Sequence, residues 1–293
     1  MLKHISIGIF VLLTVVFFSC KKENSEPVMG NLQFVYDWGK LPADIKSGEG
    51  MLLRFYGEDG QIYDRESDTL FFCGSLPVGT YRVLLRNRPT PGIDFRNEDR
   101  FETAEAYVLP VSRAAELVEQ PDWLFTAALE NCEVSADRTS RLNVVPQPMV
   151  HRINFTIRIT GGRQVENVTG RLLNVASTLN LSTGKPVMTS AGETAIPIER
   201  SGETFSGSVL IFTLLKREDS SPDNPDKNLR LDISYADETD QTVELDIYDK
   251  ILDLGDKPGG DVQIEVNIGP GTVELSASVV EWEDIPGPGL PVK

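Results

Sequence analysis

Few residues in this 293-residue chain could make or break bonds. It has three cysteines, Cys20, Cys73 and Cys132, and two histidines, His4 and His151. Nucleophilic catalysis of the Ser-His-Asp kind needs an imidazole beside the nucleophile, and a zinc centre needs several soft donors that converge. His4 falls in an apolar leader. His151 shares its parity with the inward residues of a strand and reads as a core or strand-end side chain. The cysteines are too widely spaced for a C-x-x-C site, and no G-x-x-x-x-G-K-S/T loop is present to cradle a phosphate. Two carboxylates at a working separation can hydrolyse a glycoside, but nothing in the sequence singles out such a pair among 44 acidic residues. The Asp-rich "EDSSPDNPDKN" lacks the alternating ligands and closing Glu of a calcium loop and reads as a solvated connection. The sequence therefore assigns no catalytic, cofactor-binding or metal-ligating residue, and the chain reads as a non-enzyme.

Cys20 has a different chemistry open to it. Residues 5–18 form a mostly apolar run behind Lys3 and ahead of Lys21 and Lys22. As a helix this run would reach roughly 21 Å against a hydrocarbon core of about 30 Å, which is short for a span and suits an export signal. Ser19 and Cys20 close the run in the manner of a bacterial lipobox, with Phe17 where such sites commonly carry Leu or Val. Cleavage between Ser19 and Cys20 would leave a lipid-bearing cysteine (palmitate among its acyl chains) as the first residue. An ordinary signal peptide with an incidental cysteine is the alternative. Lys and Arg number 28 against 44 acids, a formal net charge of −16, and no basic stripe is present to displace counterions from phosphates, so nucleic acid is excluded as a partner. Cys73 and Cys132 remain; in an oxidising compartment they either pair as one disulfide or stay as two separately buried thiols.

The elements that would carry these residues read as strands. After a polar tether over residues 20–30, period-two alternation places Leu32, Phe34, Tyr36 and Trp38 on one face, then Met51, Leu53 and Phe55. Tyr81, Val83 and Leu85 point opposite to Arg82 and Arg86. "SRAAELVEQ" is a short helical candidate ending before Pro121. A second series opens with Ile153, Phe155, Ile157 and Ile159, followed by Gly161-Gly162 as a hairpin turn. "LRLDISY" and Val243, Leu245 and Ile247 flank "ADETDQ" as a hairpin. "TVELSASVVEW" closes the set as a strand internal to its sandwich. Turns every eight to twelve residues indicate an all-β chain of antiparallel sandwiches. Removing 19 residues leaves 274, long for a single core, so the division is a signal over 1–19, a tether over 20–30, and β-sandwiches over 31–145 and 146–293.

The segments "NLQFVYDWGKLP", "MLLRFYGEDGQ", "SLPVGTYRVLLRN", "PDWLFTAALENC", "VPQPMVHRINFTIRI" and "NVTGRLLNVASTLNLSTGK" together resemble the family of Bacteroides-type lipoproteins that groups with the FimB and Mfa2 fimbrial anchors, within the fimbrillin superfamily. The resemblance spans nearly the whole mature chain and rests on strand and turn residues. It implies two transthyretin-like Greek-key sandwiches in tandem, carried to the cell surface and held in the outer membrane by lipid on Cys20. It also implies a role in fimbrial anchoring or adhesion, with a fimbrial shaft subunit as partner, engaged by strand addition in a groove of the first sandwich. A surface lipoprotein that binds polysaccharide for nutrient uptake is the alternative. In that case exposed aromatics, with Trp38, Trp123 and Trp282 as candidates, would stack on the glycan.

Overall fold

The computed structural model describes residues 26–39, 45, 47–111, 117–216, 226–248 and 260–280. The first half contributes β1 (Met29–Tyr36), β2 (Gly50–Gly57), β3 (Ile62–Ser67), β4 (Phe71–Pro77), β5 (Gly79–Arg88), β6 (Ile93–Arg96), β7 (Glu105–Val108), β8 (Phe125–Val134), β9 (Ser140–Val144) and β10 (Gln147–Pro148). A three-stranded sheet, β4-β1-β9, packs on a five-stranded sheet, β10-β8-β5-β2-β3. Alternation decides what lies between them. Leu32, Phe34 and Tyr36 of β1 meet Met51, Leu53 and Phe55 of β2 and Tyr81, Val83 and Leu85 of β5, all buried. Burial of each such side chain is worth about 1.5–3 kcal/mol.

Two local features lock this layer pair. At Gly30 a Cβ would lie 2.3 Å from the Ser135 carbonyl oxygen, so only glycine lets the start of β1 pass the β8–β9 turn. In Pro77-Val78-Gly79-Thr80-Tyr81 the chain turns from β4 into β5, and the Tyr81 hydroxyl donates back to the Pro77 carbonyl at 2.7 Å. This is the same device as the tyrosine corner of other sandwiches.

The second half contributes β11 (His151–Ile159), β12 (Val165–Ala176), β13 (Thr178–Asn180), β14 (Ala191–Ile196), β15 (Ile198–Ser201), β16 (Thr204–Ile211), β17 (Leu229–Tyr235), β18 (Asp240–Leu245), β19 (Gly260–Gly269) and β20 (Thr272–Val280). Sheets β15-β16-β11-β19-β20 and β14-β12-β17-β18 enclose a second core of Ile153, Phe155, Ile157, Leu172, Leu231, Ile233, Ile264 and Val266, among others. The opening strand of each half has one antiparallel and one parallel partner: β4 and β9 for β1, β16 and β19 for β11. The sheets are therefore not wholly antiparallel as expected, because a parallel neighbour has to return from a distant part of the chain.

A third, small sheet joins the halves. β13 of the second half adds to the β6–β7 hairpin of the first, pairing Leu179 with Ala106. Ala104, Ala106, Val108, Leu179, Leu181, Phe212 and Leu215 then cover the outer face of the five-stranded sheet at Tyr56 and Leu84. That sheet is covered on both sides, which is why Leu84 is buried between the outward residues Arg82 and Arg86.

Four other expectations change. Met29 and Gly30, read as the end of the tether, already pair with Pro77 and Leu76. Leu117 and Val118, inside the helical candidate, make β-bridges to Glu193 and Pro110; residues 112–116 lie outside the described residues. Gly161 and Gly162, at φ 110° and 77°, carry the chain from one sheet of the second sandwich to the other, so they form a corner and no hairpin. Asp226 and Asn228, at the end of the presumed solvated loop, are buried, whereas residues 217–225 lie outside the described residues.

Candidate functional site

Ser19, Cys20 and Trp282 lie outside the described residues. Cys73 and Cys132 are free thiols on opposite sides of their layers. Cys73 sits opposite Gln33 on the outer face of β4, and Cys132 sits opposite Tyr81 inside the first core. Burial pushes the Cys132 thiol up to about 12, so it is a packing group and not a nucleophile at neutral pH. His151 is buried at the start of β11 and its Nδ1 has no hydrogen-bond partner. Desolvation lowers its pKa to about 4, which leaves a neutral imidazole near pH 7.

Trp38 and Trp123 pack against Phe125. Trp38 donates from Nε1 to the Thr69 carbonyl at 2.6 Å and meets Phe125 edge-on at 5.3 Å. Trp123 is buried and stacks with the same ring at 6.4 Å.

One cleft, of about 390 Å³, opens where β12 bulges between Leu172 and Val175 and Asn174 takes φ 58°. Glu193, Asp226 and Glu244 line it. Arg171 reaches Glu193 at 3.5 Å and Lys227 reaches Glu244 at 3.1 Å, so two of the three carboxylates already have cations. Among the described residues no group of His, Cys, Asp or Glu is arranged to hold a metal.

What remains is backbone. A sheet edge presents unpaired N–H and C=O groups, and natural edges are usually blunted by charge, proline or brevity. β3 carries Asp64, Arg65 and Glu66, with Arg54 bound to Asp64 at 2.7 Å; β10 has two residues and β15 four. β20 is different. It pairs with β19 over nine residues without a register shift, and in Thr272–Val280 the single charge is Glu274, with neither lysine nor proline. Its sheet has five strands against four in the facing sheet, and β20 is the last of the five. Val273 is 40% exposed, and Leu275 alone of its described side chains packs against the core. The last strand was expected inside the sandwich; among the described residues it pairs with β19 alone and so lies at the end of its sheet. In the first sandwich, by contrast, β1 itself fills the place between β4 and β9, and no strand position between paired strands is open among the described residues.

Known proteins share this architecture. A crystal structure titled "putative adhesin" from Bacteroides ovatus superposes with a TM-score of 0.62 at 20% identity, covering 84% of this chain and 93% of that one. The fimbrial anchor protein Mfa2 from Porphyromonas gingivalis superposes with a TM-score of 0.56 at 10% identity, covering 86% and 97%. At these identities the likeness is one of fold. By sequence, the chain is 23% identical over 170 residues to the "Putative fimbrium anchoring subunit Fim4B" of Bacteroides ovatus, over 56% of this chain, and spans about half (51%) of the length of that curated relative. The family described as a domain of unknown function, DUF5119, matches residues 19–195, well over half of the chain, and the chain belongs to that family.

Proposed function

We propose that this protein is a non-catalytic fimbrial anchor or adhesion subunit, cut between Ser19 and Cys20, held in the outer membrane by lipid on Cys20, and joined to a fimbrial shaft subunit by strand addition. Its two sandwich domains, expected over residues 31–145 and 146–293, divide between β10 (Gln147–Pro148) and β11 (His151–Ile159), and the small shared sheet joins them. The fold of a fimbrial anchor protein and the sequence relationship to a fimbrium anchoring subunit support the role. The observation that carries the mode of attachment is the edge of β20: long, regular and almost uncharged. A strand laid along it would gain main-chain hydrogen bonds along its whole length, while alternate side chains reach the rim of the second core beside Leu275. This moves the acceptor from the first sandwich, where β1 is already in place, to the second. A polysaccharide partner would need an open aromatic platform, and Trp38 and Trp123 are packed on Phe125.

The test is co-isolation from surface extracts. The native chain should bring down a shaft subunit. Lysines placed on the edge by Ser276→Lys and Ser278→Lys should reduce that recovery about tenfold with little change in thermal stability, since both serines are exposed. Recovery of glycan and no protein from the native chain would reject the proposal.

A further inference from the structure

Val28, Met29 and Val78 are exposed by 65%, 47% and 45%, and they sit together: the Val78 amide donates to the Val28 carbonyl at 2.8 Å, and Met29 pairs with Pro77. Pro27 and Pro77 extend the same apolar end. The turns from β2 to β3 and from β8 to β9 share this end, because Gly57 pairs with Tyr81 and Gly79 with Val134. The second sandwich does not. β8 runs from Phe125, beside the crossing into β11, to Val134 at the apolar end, and its ten residues span about 33 Å. The apolar end and the second sandwich thus lie at opposite ends of the first.

We propose that this end of the first sandwich rests on the lipid bilayer, with Val28, Met29 and Val78 in the interfacial layer and the second sandwich projecting away. The inference rests on the reading that Cys20 is acylated. Six residue steps separate Cys20 from Glu26, so Glu26 lies within roughly 21 Å of the lipid-bearing sulfur however the intervening chain runs. No other surface of the molecule is tied so closely to the membrane. The tether also makes contact intramolecular, so a patch too small to bind vesicles alone is sufficient once the lipid is inserted. Glu58 and Asp59 in one flanking turn, and Asp137 beside Arg138 in the other, keep the contact shallow, because carboxylates are costly to carry past the headgroups. This orientation presents the β20 sandwich to the outside.

The experiment uses the full lipidated chain in vesicles of phosphatidylethanolamine with a minority of phosphatidylglycerol. An environment-sensitive fluorophore is attached through Val28→Cys, Val78→Cys or Met188→Cys in a Cys73→Ser background. Met188, 60% exposed in the β13–β14 connection, is the reference. Nitroxide-bearing lipid should quench the labels at 28 and 78 about threefold more than the label at 188. Equal quenching at all three positions on a protein whose Cys20 fragment carries acyl mass would overturn the docking alone. A Cys20 fragment without acyl mass would overturn the lipid reading and the docking with it.

Discussion

Replacing His151 by leucine should make the protein less sensitive to mild acid. The imidazole is 7% exposed, and burial holds its pKa near 4 against an ordinary value of 6.5. Between those two values the unfolded chain binds a proton that the folded chain refuses, so stability falls as pH drops from about 6.5 towards 4 and is flat, for this group, above and below. The depression of about 2.5 units corresponds to roughly 3 kcal/mol lost across that window at about 1.4 kcal/mol per unit. Urea unfolding of the native chain and His151→Leu at pH 7.5 and pH 4.5 measures it. Carboxylates contribute equally to both proteins, so the difference between their pH slopes belongs to His151. The native chain should lose about 2–3 kcal/mol more than the variant. Identical slopes would refute the burial of an unpaired imidazole at the junction between the sandwiches, and would reopen an exposed, chemically active histidine.

Other outcomes follow from the same packing. In a Cys20→Ala chain, a thiol reagent should modify Cys73 at once and Cys132 only after denaturation, since the first is exposed and the second sits at 0% exposure; two fast thiols, or none, would contradict the layer assignment. Phe34→Ala, at the centre of a cluster with Phe55 at 6.0 Å and Phe72 at 6.1 Å, should cost about 3–5 kcal/mol by chemical denaturation, while Val35→Ala on the exposed face of the same strand should cost under about 0.5. Radiolabelled palmitate should enter the native protein and not Cys20→Ala; equal labelling would remove the lipid anchor.

Strands whose two faces see different surroundings were legible in the sequence. Leu32, Phe34 and Tyr36, or Ile153, Phe155 and Ile157, alternate with polar residues because one face meets a core and the other meets water. The hairpin of β17 and β18 was equally plain, with Glu238 taking the left-handed conformation (φ 64°) in its turn. The small joining sheet was not legible: strands of four, four and three residues are too short to show a period, and β13 lies some 70 residues from its partner β7. Leu117 and Val118 fit a helix by composition, yet tertiary pairing with Glu193 overrides that propensity. β20 alternates like an internal strand, and only its pairing with β19 alone among the described residues reveals it as an edge. For the candidate site, a backbone edge leaves no side-chain signature to read.

A protein that fastens a filament to the cell must hold shaft subunits on the cell surface. The direct measurement is the partition of shaft subunit between cells and medium in strains carrying the native gene, a deletion of it, or the Cys20→Ala form. With the native gene the filaments should stay with the cells. In the other two strains they should be shed into the medium. Filaments that remain firmly cell-bound in the deletion strain would contradict the account.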